Sequence, residues 1–176
     1  MGCSQVPGGG FRDVEEGDLP EPASCENVGP LTRVPGGWGK FVNKEFVKAV
    51  VGGDESGVTI VDVRGAGRFM GEEKEARAGV RSGHMKGAKN LPFPKVLKEG
   101  WCALKEAHVL REILGGACNL EGEGRIVVTC GSGVTACIVA TALEKVGVAS
   151  ERVACYDGSW AEWGAAEDTE VVTGDE

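Results

Sequence analysis

Cys130 is the residue of this chain best placed to do chemistry. It closes the β-branched run in IVVTCGSGVTACI (126–138), has Gly131 and Gly133 on either side of Ser132 just after it, and leads into a helix-period pattern. A strand that feeds a short loop opening a helix aims several backbone N–H groups, and the positive end of the helix dipole, at the loop. An anionic sulfur belongs there. A free cysteine has a pKa of about 8.5, and helix N-termini lower it to about 3.5–7.5, each unit being worth about 1.4 kcal/mol in favour of the thiolate. The simpler alternative is a core cysteine at a strand end, packing as a small hydrophobe. That alternative leaves the two glycines unexplained, whereas a loop that closes its backbone around an anion needs them.

The elements around this loop follow from periodicity. Asn43 suits an N-cap for a helix with Phe46, Val47, Val50 and Val51 on one face, stopped by Gly52 and Gly53. Residues 58–63 (VTIVDV) form a buried strand, a long polar loop follows, and residues 89–91 form a short strand closed off by Pro92 and Pro94. Residues 102–114 place Leu104, Leu110, Ile113 and Leu114 at helical spacing. Then come a strand at 125–129, the helix after Cys130 as far as Lys145 with Gly147 as its cap, and a strand at 152–156. Strands alternating with helices imply an α/β fold with a central parallel sheet flanked by helices. The Cys130 loop then lies at a strand's C-terminal end, where open α/β sheets bind ligands.

Composition narrows the classes of partner. The chain has 176 residues, 41% of them hydrophobic, enough for one domain with a core. Its net charge of −8, from 27 acids against 19 bases, disfavours nucleic acid or an anionic membrane, so an anionic substrate must be held by local bases. No run reaches the roughly 18–20 apolar residues of a membrane span. Seven cysteines with no C-x-x-C pair fit neither a zinc site nor an evenly paired disulfide framework, which points to a reducing compartment and to no metal. Residues 1–40 hold nine glycines and five of the seven prolines and are read as linker; the tail 167–176 is acidic and expected to fray. Met1-Gly2-Cys3-Ser4 has the outline of an acylation site, although the sixth position carries Val6 rather than a small hydroxyl residue.

Four stretches together carry a family likeness: VDVRGAGRF (61–69), SGHMKGAKNLPF (82–93), CGSGVTAC (130–137) and YDGSWAEW (156–163). In that order they resemble a rhodanese domain, and specifically the C-terminal catalytic domain of the 3-mercaptopyruvate sulfurtransferase family. The likeness covers about 41–166 as the catalytic domain. It implies a sulfurtransferase without a cofactor, in which the loop cysteine takes sulfane sulfur as a persulfide and passes it to a nucleophile. The donor would be 3-mercaptopyruvate, with thiosulfate second, and the acceptor a thiol or a thioredoxin-like protein, in the cytoplasm or mitochondrion. Cys130 takes the position of the family's cysteine, and Ser132 that of its candidate proton-relaying hydroxyl. Arg68 and Arg77 match the substrate-binding arginines, and a guanidinium can hold a carboxylate in bidentate fashion. The amides of Gly131, Ser132, Gly133, Val134 and Thr135 are expected to cradle the persulfide.

Other residues have structural explanations. Asp62 and Arg64 are expected to hold neighbouring loops, His84 to belong to a turn, His108 to face solvent, and Trp160 and Trp163 to pack on one helix face. Cys137 lies seven residues beyond Cys130, about two helical turns, too far for direct pairing without distortion. Full-length members of the family carry two such domains with the site between them. This chain holds one, and its opening GGGFRDVEEGDLPEP resembles the end of a first domain. The histidine and aspartate that partner the loop serine in the family are supplied by that first domain, and neither His84 nor His108 matches them. A phosphatase or arsenate reductase would also put a cysteine at the head of an anion loop, but it needs an arginine where this chain has Ala136. A non-catalytic rhodanese module that binds a protein partner is the rival from a different class.

Overall fold

The computed structural model of the protein describes residues 41–100 and 103–174; the linker expected over 1–40 and the acylation motif lie outside them. Its strands are β1 (Phe41–Val42), β2 (Val58–Asp62), β3 (Lys89–Asn90), β4 (Arg125–Thr129) and β5 (Val153–Tyr156). They form one sheet in the order β1-β5-β4-β2-β3, with every pairing parallel. Its helices are α1 (Lys44–Gly52), α2 (Ala66–Met70), α3 (Ala107–Gly115), α4 (Ala136–Lys145) and α5 (Ser159–Trp163). No helix among the described residues is long and apolar enough to cross a membrane.

Strand alternation divides the interior in two. Val61, Ile126, Val128, Cys130, Val153 and Cys155 point to one face and pack with Leu110, Leu114, Val139 and Leu143 of α3 and α4. Ile60, Val127 and Tyr156 point to the other face, against Val47 of α1, Phe69 of α2 and the two tryptophans of α5. This is the period of two that a strand imposes, read on both sides because both faces are covered. Local signals set the element ends. The Asn43 side chain accepts from the Phe46 amide at 3.0 Å, and Gly53, at φ 85°, closes α1 in the left-handed region.

Three expectations need correcting, and one strand, β1, had none. The polar stretch after β2 contains α2, whose single turn is too short to show a helical period. β1 is two residues long and gains its pairing only from β5. The helix expected from 102 begins at Ala107, because Leu104 is drawn into an antiparallel bridge with Leu97. The tail expected to fray from Glu167 is packed as far as it is described. His84 and Val172 exchange backbone hydrogen bonds at 2.9 and 3.0 Å, and the Trp163 indole donates to the Glu170 carbonyl at 2.8 Å. Its acids do not oppose this, since Lys44 and Lys48 meet Asp168 and Lys86 meets Glu170.

Candidate active site

The loop 131–135 joins β4 to α4, and α5 holds it from the side. The Trp160 and Ala161 amides, at the start of α5, donate to the carbonyls of Cys130 and Gly131, both at 3.0 Å. The Cys130 amide donates to the Ser159 hydroxyl at 3.2 Å, and that hydroxyl donates to the Tyr156 carbonyl at 2.8 Å. Ser159 sits at φ 49°, the left-handed region that a non-glycine residue seldom adopts. The four hydrogen bonds around it keep it there. Thus YDGSWAEW serves as the bracket for the cysteine loop.

Cys130 is 1% exposed, with its sulfur inside this loop. The Gly133 amide donates to it at 3.1 Å. Burial raises the thiol's pKa, but the Thr135 hydroxyl and the amides of Ser132, Ala136 and Thr135 favour the anion and outweigh it, leaving the thiol below its ordinary value. Beside this cradle Gly131 lies near the Arg68 guanidinium, and Val134 is 73% exposed. Thr135→Val, which keeps the shape and removes the hydroxyl, is expected to move the pH profile of Cys130 alkylation to higher pH. An unchanged profile would show that the hydroxyl does not hold the thiolate.

Gly133 has a steric reason to be glycine. Its φ is 86°, and a Cβ there would come within 2.9 Å of the Asp157 carbonyl oxygen. A side chain costs about 1–2 kcal/mol for the left-handed conformation alone, and the clash adds to it. Gly133→Ala is therefore expected to swing the amide off the sulfur and slow thiolate chemistry by about tenfold or more, with Cys130 alkylation as the check.

A cavity of about 200 Å³ adjoins the loop, lined by Arg68, Glu75, Arg77, Gly131 and Ser132 among others. Both sequence-derived arginines therefore meet at one cavity, with Ser132 on its wall. The residue that sequence reasoning missed is Glu75. Its side chain, 4% exposed, accepts from Arg68 Nε at 3.2 Å and, through the other oxygen, from Arg68 Nη2. It also accepts from Arg64 Nη1 at 2.8 Å. Arg64 in turn donates to Asp62 through Nε and Nη2, the latter at 2.6 Å, to the Gly83 carbonyl at 2.7 Å, and lies 4.1 Å over the Trp160 ring. Asp62, Arg64, Glu75 and Arg68 thus form an alternating chain of charge from the sheet to the cavity. Arg77 is exposed at the cavity and has no ion pair among the described residues. The signal for Glu75 was an acid between the two matched arginines, hidden among Glu72 and Glu73.

The histidines take no part. His84 is fully buried, its Nδ1 2.8 Å from the Phe69 carbonyl and its ring stacked on Phe69 at 3.7 Å. His108 is exposed on α3. Trp160 and Trp163 are 1% exposed, and the Trp160 indole donates to the Arg81 carbonyl at 2.8 Å.

A parallel α/β domain with a buried, acidified cysteine in an amide-lined loop, beside a cavity with two arginines, defines a class of anion-handling thiol proteins. Residues 45–166 match the Rhodanese-like domain, and the chain belongs to that family. It is 36% identical over 170 residues to the 3-mercaptopyruvate sulfurtransferase of Escherichia coli K12, covering 94% of this chain and 57% of that protein. It is 37% identical over 111 residues to the mitochondrial thiosulfate/3-mercaptopyruvate sulfurtransferase 1 of Arabidopsis thaliana, covering 63% of this chain and 28% of that protein. The crystal structure of the Tum1 protein from Saccharomyces cerevisiae superposes with a TM-score of 0.66 at 32% identity, over 77% of this chain and 46% of that one. This chain therefore spans little more than half the length of the first of these relatives, and less of the others.

Proposed function

We propose that this domain is a sulfurtransferase that moves sulfane sulfur from 3-mercaptopyruvate through a persulfide on Cys130 to a thiol acceptor, small or carried by a thioredoxin-like protein. The observation that carries the proposal is the buried Cys130 sulfur, acidified by converging donors and set beside a cavity with two arginines. The names of the relatives support the donor.

The thiolate attacks the donor's sulfur. The S–S bond forms as the donor's C–S bond breaks, and the electron pair leaves on carbon as pyruvate enolate, which is protonated to pyruvate. Arg77 and Arg68 hold the carboxylate, and the exposed Ser132 hydroxyl on the cavity wall stands where it can relay a proton to that carbon. The amides of Ser132, Gly133, Thr135 and Ala136, already aimed at sulfur, hold the persulfide anion at no cost of reorganisation. An acceptor thiolate then attacks the outer sulfur, breaks the S–S bond and restores the Cys130 thiolate. Thiosulfate enters the same scheme with sulfite as leaving group.

The second reading is a rhodanese module that binds a partner without catalysis, and the 1% exposure of Cys130 is the observation on its side. Incubation of the chain with 3-mercaptopyruvate and, separately, with thiosulfate, followed by intact mass spectrometry, decides between them. A mass gain of one sulfur atom from mercaptopyruvate is expected. No gain from either donor, in folded protein whose Cys130 still titrates, would overturn the proposal in favour of partner binding.

A further inference from the structure

Behind the cysteine loop lies a second pair of thiols that the proposed reaction does not use. Cys155, on β5, points to the same face of the sheet as Cys130 and is 5% exposed. Cys137 is the second residue of α4 and is exposed. The two residues line one cavity of about 150 Å³, with Phe41, Thr141 and Glu144 among its other walls. This cavity shares no lining residue with the arginine cavity. The 17 residues between the two cysteines in sequence hid the pairing, which arises because α4 runs back across β5.

We propose that Cys137 and Cys155 form a reversible disulfide under hydroperoxide, a modification site distinct from Cys130. The cavity admits a small peroxide, since a water molecule occupies about 30 Å³. Cys137, at the open side, reacts first: its sulfur takes one oxygen, the O–O bond breaks, and the peroxide is reduced to water, leaving a sulfenic acid. The Cys155 thiol then attacks that sulfur. The S–S bond forms, the S–O bond breaks, and the hydroxide leaves as water with the Cys155 proton. Cys137 is exposed while Cys155 is 5% exposed, and burial pushes the Cys155 thiol up to about 12, so Cys155 is not the first to be oxidised. Two thiols on the wall of one cavity of this size need little backbone movement to close a bond whose Cβ atoms stand about 3.5–4.5 Å apart. Cys130 is not the natural partner of Cys137, since its sulfur is turned into the loop and held by the Gly133 amide. The disulfide ties the first turn of α4 to the sheet beside the loop.

Hydrogen peroxide treatment of the full chain, alkylation of the remaining thiols and non-reducing tryptic mapping test the proposal. Peptide 126–145 carries both Cys130 and Cys137, and peptide 153–176 carries Cys155. Mapping is therefore run on the wild type and on Cys130→Ser. In both, the two peptides are expected to appear joined, lighter by two hydrogens and separated again by dithiothreitol. Cys137→Ser, an exposed substitution that leaves the fold intact, is expected to lose the linkage completely. A linkage that survives in Cys137→Ser would place the bond on Cys130 and overturn the proposal. So would Cys137 recovered fully alkylated, or joined to Cys3, Cys25, Cys102 or Cys118.

Discussion

Cys130→Ser is expected to fold as the parent does and to transfer sulfur from 3-mercaptopyruvate at least about a thousand-fold more slowly, a loss of about 4 kcal/mol in transition-state stabilisation. The substitution fits, because a hydroxyl oxygen can accept from the same amide that now reaches the sulfur at 3.1 Å. What it removes is the anion. A serine hydroxyl stays protonated where the Cys130 thiol, held below its ordinary value, ionises, and no covalent sulfur carrier can form. The check is pyruvate release in the presence of a thiol acceptor, with far-UV circular dichroism to show that the fold is kept. A variant retaining a tenth or more of the parent rate would mean that another nucleophile carries the reaction.

Arg64→Met should be the most damaging single change to the fold, costing about 3–5 kcal/mol in urea denaturation. Methionine fills the space over the Trp160 ring but leaves the fully buried Asp62 without its cation and strips Glu75 of one of its two. Burial already drives the Asp62 carboxyl upward, against the pull of Arg64; without Arg64 nothing comparable opposes it. The sign of the pH dependence follows. A carboxyl whose folded pKa lies above its unfolded one binds its proton more tightly in the native state, so the variant's stability falls as pH rises above about 4. The deficit against wild type should therefore be larger at pH 7 than at pH 5. A deficit that is constant with pH would show that the loss is one of packing over Trp160 rather than of charge.

The fold was legible where periodicity and punctuation agreed: α1 between Asn43 and Gly53, the apolar strands, and the strand-loop-helix around Cys130. It was illegible where an element is too short to show a period, as in α2 and β1, or where a neighbour decides, as for Leu104 and the C-terminal segment. The site divides in the same way. Cys130, Ser132, Arg68 and Arg77 were named from motif positions, and they gather at one loop and one cavity. Glu75 was not named because its partners lie 7 and 11 residues away across a loop, a spacing that no helix or strand rule singles out. Ser159 was missed because nothing in a serine announces a left-handed backbone. The placing of Cys137 and Cys155 on one cavity depends on the crossover of α4 and could not be read from either cysteine's neighbours.

The alternating charges beneath the cavity also fix its charge balance. Asp62 cancels Arg64 and Glu75 cancels Arg68, so the four leave no net charge, and Arg77 is the cation left to face the Cys130 thiolate. Each negative charge that a donor brings is then added to a balanced site inside a molecule that carries −8, and added salt softens that penalty. On the proposed function, a singly charged donor is therefore expected to be favoured over a doubly charged one.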